Sequence, residues 1–123
     1  MYNETTNVAK RDRARQEIAC VALGILNGSV DLLAGCRSLV RLRIEADAPP
    51  SPAFDSIIGV ESETDDFPLG DQRTAYSSEL LARLDSEVST YLDEVRPDVL
   101  QACHEIVHEI EQLQVQSSGG RLQ

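Results

Sequence analysis

The sequence has no tryptophan, two phenylalanines and three tyrosines. Its core must therefore be aliphatic, and no aromatic platform is available for stacking a sugar. No apolar run approaches the ~20 residues that span a bilayer. The opening stretch, MYNETTNVAKRDRARQE, is charged and lacks the apolar centre of a secretory signal, so a cytoplasmic location is expected. The three cysteines, Cys20, Cys36 and Cys103, form no CxxC pair and sit among apolar residues at helical spacing. They read as reduced core thiols. Only Cys103, beside His104, has a neighbour suited to activating it. Strand-like alternation is missing as well.

Basic residues are scarce in one half. Residues 1–43 carry seven basic and four acidic side chains, whereas residues 44–123 carry four basic and 17 acidic ones, within a net charge of −10. A half this acidic repels phosphate, so nucleic acid is not an expected partner, and neither is a membrane. Lys10, Arg11, Arg13 and Arg15 could form a nucleic-acid arm, but pairing with carboxylates is the simpler reading. The two halves either complement each other within the fold or leave an acidic face for a basic protein partner.

What the chain does have is helical periodicity. With 41% hydrophobic residues in 123, it suits one globular domain, expected over 1–116, with Ser117-Ser118-Gly119-Gly120 opening a flexible tail over 117–123. From Ser77 to Leu113 the apolar residues Leu81, Leu84, Val88, Leu92, Val95, Val99, Cys103, Ile106, Ile110 and Leu113 recur at gaps of three and four. That is one stripe along a helix, which needs a partner surface. Ser77 is suited to cap this helix and Tyr76 to pack on Leu81. Pro97 falls inside it without shifting the stripe, which favours a kinked continuous helix over two separate ones.

Upstream, Ala14, Ile18, Val21, Ala22 and Ile25 predict a first helix that starts near Thr6 or Asn7. Cys20, Leu23 and Leu26 widen its stripe. Asn27-Gly28 ends it and Ser29 caps a second helix, making an antiparallel hairpin. The second helix is expected to bury Leu32, Leu33, Cys36, Leu39 and Val40, with Arg37, Arg41 and Arg43 on its other side. Three prolines in Pro49-Pro50-Ser51-Pro52 break the chain, and Ser51-Pro52 reads as a cap and first turn. A short third helix over Pro52 to Glu63 would bury Phe54, Ile57 and Ile58, with Val60 a further candidate. Gly59 inside it suggests close packing or an early end. The expected fold is all-α: a four-to-five-helix bundle with an N-terminal hairpin and a long, kinked C-terminal helix.

The most distinctive stretch runs from Glu61 to Arg73. Glu61, Glu63, Asp65 and Asp66 place four carboxylates within six residues, and Phe67-Pro68-Leu69-Gly70 and Asp71 follow. An EF-hand loop is excluded, because its sixth position requires Gly and Asp66 stands there. A paired-carboxylate hydrolase finds no assignable acid and base. What remains is a solvated acidic loop pinned by Phe67 and Leu69, or a docking surface formed by Glu61, Glu63, Asp65, Asp66 and Asp71. The run ESETDDFPLGDQR with the following SSELLARLDSEV resembles an uncharacterised family of small bacterial helical proteins, over about residues 15–107. The resemblance implies a helical protein of the bacterial cytosol and supplies no activity or catalytic residues.

One motif suggests a metal. His104-Glu105-Ile106-Val107-His108 spells HExxH, which in zinc peptidases sets two imidazoles on one helix face with the glutamate as general base. A catalytic zinc takes a third protein ligand, and no convincing one follows in the fifteen residues after His108. Glu111 and Gln114 stand where the extended motif needs Gly and His. Taken from the core direction at ~100° per residue, His104 and His108 fall on the wet flank. The pair therefore reads as solvated, with a metal site at His104 and His108, or a metal-dependent hydrolase, as alternatives. No cofactor is called for. The leading expectation is an acidic, non-enzymatic interaction module, in concrete form an immunity or antitoxin-like protein that binds a basic partner. A structural homodimer through the long helix is the third alternative.

Overall fold

The computed structural model describes the backbone of residues 4–119 and the side chains of residues 7–113. Four α-helices and one 3-10 turn account for its regular structure: α1 (Glu4–Asn27), α2 (Leu32–Glu45), α3 (Pro52–Glu63), the 3-10 turn (Gly70–Ala75) and α4 (Ser78–Gly119). There is no strand among the described residues. Helix α1 packs on α2 and α4, and α3 packs on the same two, while α2 and α4 touch each other only lightly. The helices therefore form a four-membered ring around one aliphatic core. Ile18, Leu39, Ile57 and Ile106, one from each helix, are fully enclosed.

Helix α1 is already formed at Glu4, the first described residue, upstream of the expected Thr6 or Asn7; the Thr6 side chain lies outside the described residues. Its buried stripe is Ala14, Ile18, Ala22 and Ile25. Cys20 lies two residues from Ile18 and from Ala22, about 200° around the helix from each. It is exposed rather than a core thiol, and Leu23 is exposed as well. Gly28 ends the helix at φ 82°, a conformation that glycine adopts without strain. The turn then uses more residues than expected. Val30 N–H bonds back to the Gly24 carbonyl at 3.0 Å, and Asp31, not Ser29, caps α2 by accepting from Ala34 N–H at 3.0 Å.

The hairpin closes tightly because two glycines leave room for it. A Cβ on Gly24 would lie 2.3 Å from Val30 Cγ2, and one on Gly35 would lie 2.6 Å from Ile25 Cδ1. Within α2, Leu42 is buried where Val40 is only half-buried. Arg37 and Arg43 fold back onto the protein, with Nε atoms shielded from solvent, so they do not all point outward as expected. The Arg43 guanidinium sits 6.0 Å from the centre of the Phe54 ring.

Helix α3 occupies the expected span, with Ser51 at the N-cap and Pro52 in the first turn. The Ser51 hydroxyl makes no cap bond, however, and is buried without a partner; its carbonyl accepts from Asp55 N–H at 3.3 Å. Gly59 is exposed, and a Cβ there would meet nothing within 4 Å, so close packing does not explain it. The glycines thus separate by sign. Gly59→Ala should raise stability by about 1 kcal/mol, or about 4 °C in Tm, by restoring helix propensity. Gly35→Ala gains the same propensity but must displace Ile25 in a packed core, a cost of about 1–3 kcal/mol. Thermal melts of the two variants should move in opposite directions.

Helix α4 starts as expected, with Ser77 Oγ accepting from Leu80 N–H at 3.1 Å, and runs unbroken through Pro97. Pro97 and Asp93 are exposed, so the carbonyl left without its helical donor lies on the outer side. Full burial begins only beyond that point, at Val99, Ala102, Cys103, Ile106 and Ile110. Before it, Leu84, Val88, Tyr91, Leu92 and Val95 are half-buried. The helical backbone continues through residues 117–119, and the rest of the expected tail, residues 120–123, lies outside the described residues.

Candidate interaction site

The acidic run begins inside α3. Glu61 and Glu63 lie in its last turn, where unsatisfied carbonyls already disfavour anions, and no basic residue of that turn compensates them. Compensation comes from α2. Arg37 Nη2 donates to the carbonyls of Thr64 and Phe67, the latter at 2.8 Å. Thr64 is buried, and its hydroxyl donates to the Val60 carbonyl at 2.7 Å. Phe67 N–H closes a turn on the Thr64 carbonyl at 3.0 Å, and the Phe67 and Pro68 side chains fill the space below.

A second arginine secures the outer side. Arg73, in the 3-10 turn, lies 5.7 Å from the centre of the Phe67 ring and donates to the Pro68 carbonyl at 3.4 Å. It also pairs with Asp85 of α4 at 2.8 Å. The run is therefore held at both ends by backbone contacts and apolar anchors. Its carboxylates take no part in holding it.

Those carboxylates face outward. Glu63, Asp65, Asp66 and Asp71 are exposed and Glu61 is half-buried. Among the described residues no ion pair involves any of the five; the pairs present are Arg11–Asp47, Arg15–Asp12, Arg73–Asp85 and Arg96–Asp93. The basic half of the chain thus does not neutralise the acidic run. Arg37, which reaches the run from that half, bonds to backbone carbonyls instead.

The structure divides the five expected residues into two groups. Glu63 and Asp66 reach a groove of about 280 Å³ between the acidic run and the first half of α4, whereas Glu61, Asp65 and Asp71 do not line it. Leu84, Val88 and Tyr91 line its α4 side, Phe67 and Thr64 its other side, and Glu87 adds a third carboxylate. Burial and then Glu63 raise the Tyr91 phenol above its ordinary pKa, so it keeps its proton and remains a hydrogen-bond donor. Glu87 and Tyr91 were not visible as site residues in the sequence. Tyr91 follows Val88 by three residues and extends the apolar line of Leu84 and Val88, which is the signal that marks it.

His104, Glu105 and His108 lie elsewhere, on an exposed flank of α4 beside the start of α3. His104 and His108 are exposed and border a shallow hollow with Pro52, Ala53, Glu105 and Glu109. Glu105 accepts a bond from Gln101 Nε2 at 3.2 Å. No group of three or more His, Cys, Asp or Glu side chains is placed to hold a metal among the described residues. The hollow is open to water, whereas metal-assisted hydrolysis works best where water is excluded.

No helix among the described residues is long and apolar enough to cross a membrane. Comparison with known proteins finds no matching family model, no matching curated protein and no matching solved structure. The fold and the groove therefore define the class on their own: an all-helical bundle that displays a braced acidic surface.

Proposed function

We propose that this protein is an acidic, non-enzymatic interaction module that docks a basic protein partner through residues 61–71. Immunity or antitoxin-like neutralisation in the bacterial cytoplasm is its concrete form. One observation carries the reading: among the described residues the carboxylates of the run have no ion-pair partner, while the backbone beneath them is clamped by Arg37 and Arg73. A run that served only stability would not place Glu61 and Glu63 at a helix C-terminus, where the dipole opposes them. A braced, uncompensated acidic surface accelerates encounter with a cation-rich partner and limits the ordering cost of binding.

Affinity capture from a bacterial lysate at low and high salt tests this, with wild-type protein beside a variant carrying Glu61→Gln, Glu63→Gln, Asp65→Asn, Asp66→Asn and Asp71→Asn. The expected result is a basic protein retained at low salt, released at high salt and lost with the variant. Capture that ignores salt, or that survives neutralisation of all five residues, overturns the reading.

A further inference from the structure

We propose that the groove between the acidic run and the first half of α4 is an arginine pocket, receiving one guanidinium-bearing side chain of the basic partner. This rests on the docking role of the acidic run and specifies where its cation goes. Two grooves flank the half-buried first half of α4, and their charges differ. The one on the Asp85 and Leu92 side holds Arg73 and Arg96 together with Asp31, Asp85 and Asp93, so its carboxylates already have cations beside them. The one on the Glu63 side holds Glu63, Asp66 and Glu87 and no basic residue.

The apolar components of this second groove decide which cation fits. Leu84, Val88 and Phe67 offer a wall for an aliphatic stem, and Tyr91 offers a ring among the carboxylates. A guanidinium stacks on aromatic rings and forks onto carboxylates, whereas an ammonium is a compact, strongly hydrated point charge that loses more on leaving water. Arginine is therefore preferred over lysine. The same charge argues against a second copy of this chain as occupant. From Glu79 to Arg96, α4 carries Glu79, Asp85, Glu87, Asp93 and Glu94 against Arg83 and Arg96, so two such faces repel each other.

The test uses fluorescent amphipathic peptides in which leucine at helical spacing alternates with arginine, with lysine or with neutral citrulline. Binding to the full chain is read by anisotropy at low salt. Two double variants remove the same amount of charge at different places: Glu63→Gln with Glu87→Gln inside the groove, and Asp65→Asn with Asp71→Asn outside it. The arginine peptide should bind more tightly than the lysine peptide, and the citrulline peptide should not bind. The groove variant should weaken arginine-peptide binding by about tenfold or more, and the outer variant by less than about threefold. Tyr91→Leu keeps the pocket apolar but removes the stacking ring, and should reduce the preference for arginine over lysine to what the carboxylates alone give. Equal losses from the two double variants, or equal affinity for arginine and lysine in the wild type, overturn the pocket and leave the acidic docking surface standing. If no cationic peptide binds at low salt, both readings fall.

Discussion

Stability should fall steeply between pH 9 and pH 11, by on the order of 3–5 kcal/mol, because two thiols in the centre of the bundle ionise less readily when it is folded than when it is unfolded. Cys36 on α2 and Cys103 on α4 are both fully enclosed. Burial, with smaller contributions from Cys103 and Asp31, pushes the Cys36 thiol up to about 12 from 9.0. Burial pushes Cys103 up to about 11 from the same starting value. Each folded-state pKa lies above the unfolded one, so below pH 9 both states hold the proton and the thiols add no pH dependence. Above pH 9 the unfolded chain releases protons that the folded chain retains. Unfolding is then favoured by up to about 1.4 kcal/mol per pH unit for each thiol, until the folded pKa is reached. Against a typical total of about 5–15 kcal/mol, this is a large share of the domain's stability. Denaturant titrations at pH 8, 9, 10 and 11 measure it. The double variant Cys36→Ala, Cys103→Ala should start from lower stability, through lost packing, and show a much flatter pH slope. An unchanged slope in that variant would show that the thiols are not its cause. At pH 8 a thiol reagent should modify exposed Cys20 quickly and the other two only on unfolding.

How much of this was legible beforehand depends on how local the chemistry is. Ser51-Pro52 and Ser77 marked the starts of α3 and α4 because a cap position and a first-turn proline are decided within a few residues. Gly28 marked the end of α1 for the same reason. The glycines inside helices were not legible. Gly59 suggested close packing but faces open space, whereas Gly24 and Gly35 are the two against which Val30 and Ile25 pack. A glycine carries no sign of which neighbour will approach it; that is settled when two helices cross. The acidic run shows the same limit. Its charge could be read directly, and so could the exposure of His104 and His108, from helical phase alone. The brace beneath it could not, because the carbonyls of Thr64 and Phe67 lie 27 and 30 residues from Arg37 in sequence. Helical phase set Arg37 on the polar side of α2, and its length lets it reach across to the end of α3. Half of the groove was hidden in the same way, since Glu87 and Tyr91 meet Glu63 and Asp66 only after α4 folds back over the run.

Arg37→Ala should cost about 2–4 kcal/mol and release the acidic run before the bundle. The size follows from two charge-assisted hydrogen bonds, worth roughly 1.5–3 kcal/mol each when one partner is removed, less what the freed carbonyls regain from water. Both bonds come from one nitrogen, Nη2, so Arg37→Lys should recover part of the loss, and only part, because the lysine nitrogen sits one bond nearer the backbone and is more strongly hydrated. The location of the loss tells more than its size. Amide exchange at Phe67, Gln72 and Tyr76, whose N–H groups bond to the carbonyls of Thr64, Leu69 and Arg73, should accelerate more than exchange at Ile18 or Ala22 of α1. Uniform acceleration across the chain would mean that Arg37 only adds to global stability and does not hold the run. Two effects then oppose each other in binding. Losing a cation makes the surface more negative and speeds encounter with a basic peptide, a gain that salt screens within about 10 Å. Losing the brace means that the run must be ordered at each binding event, which shortens the life of the complex. The second effect acts at full strength in physiological salt, so Arg37→Ala should associate faster with the arginine peptide, dissociate faster still, and bind more weakly overall. Tighter binding by this variant would show that net charge, and not a preformed surface, governs the interaction.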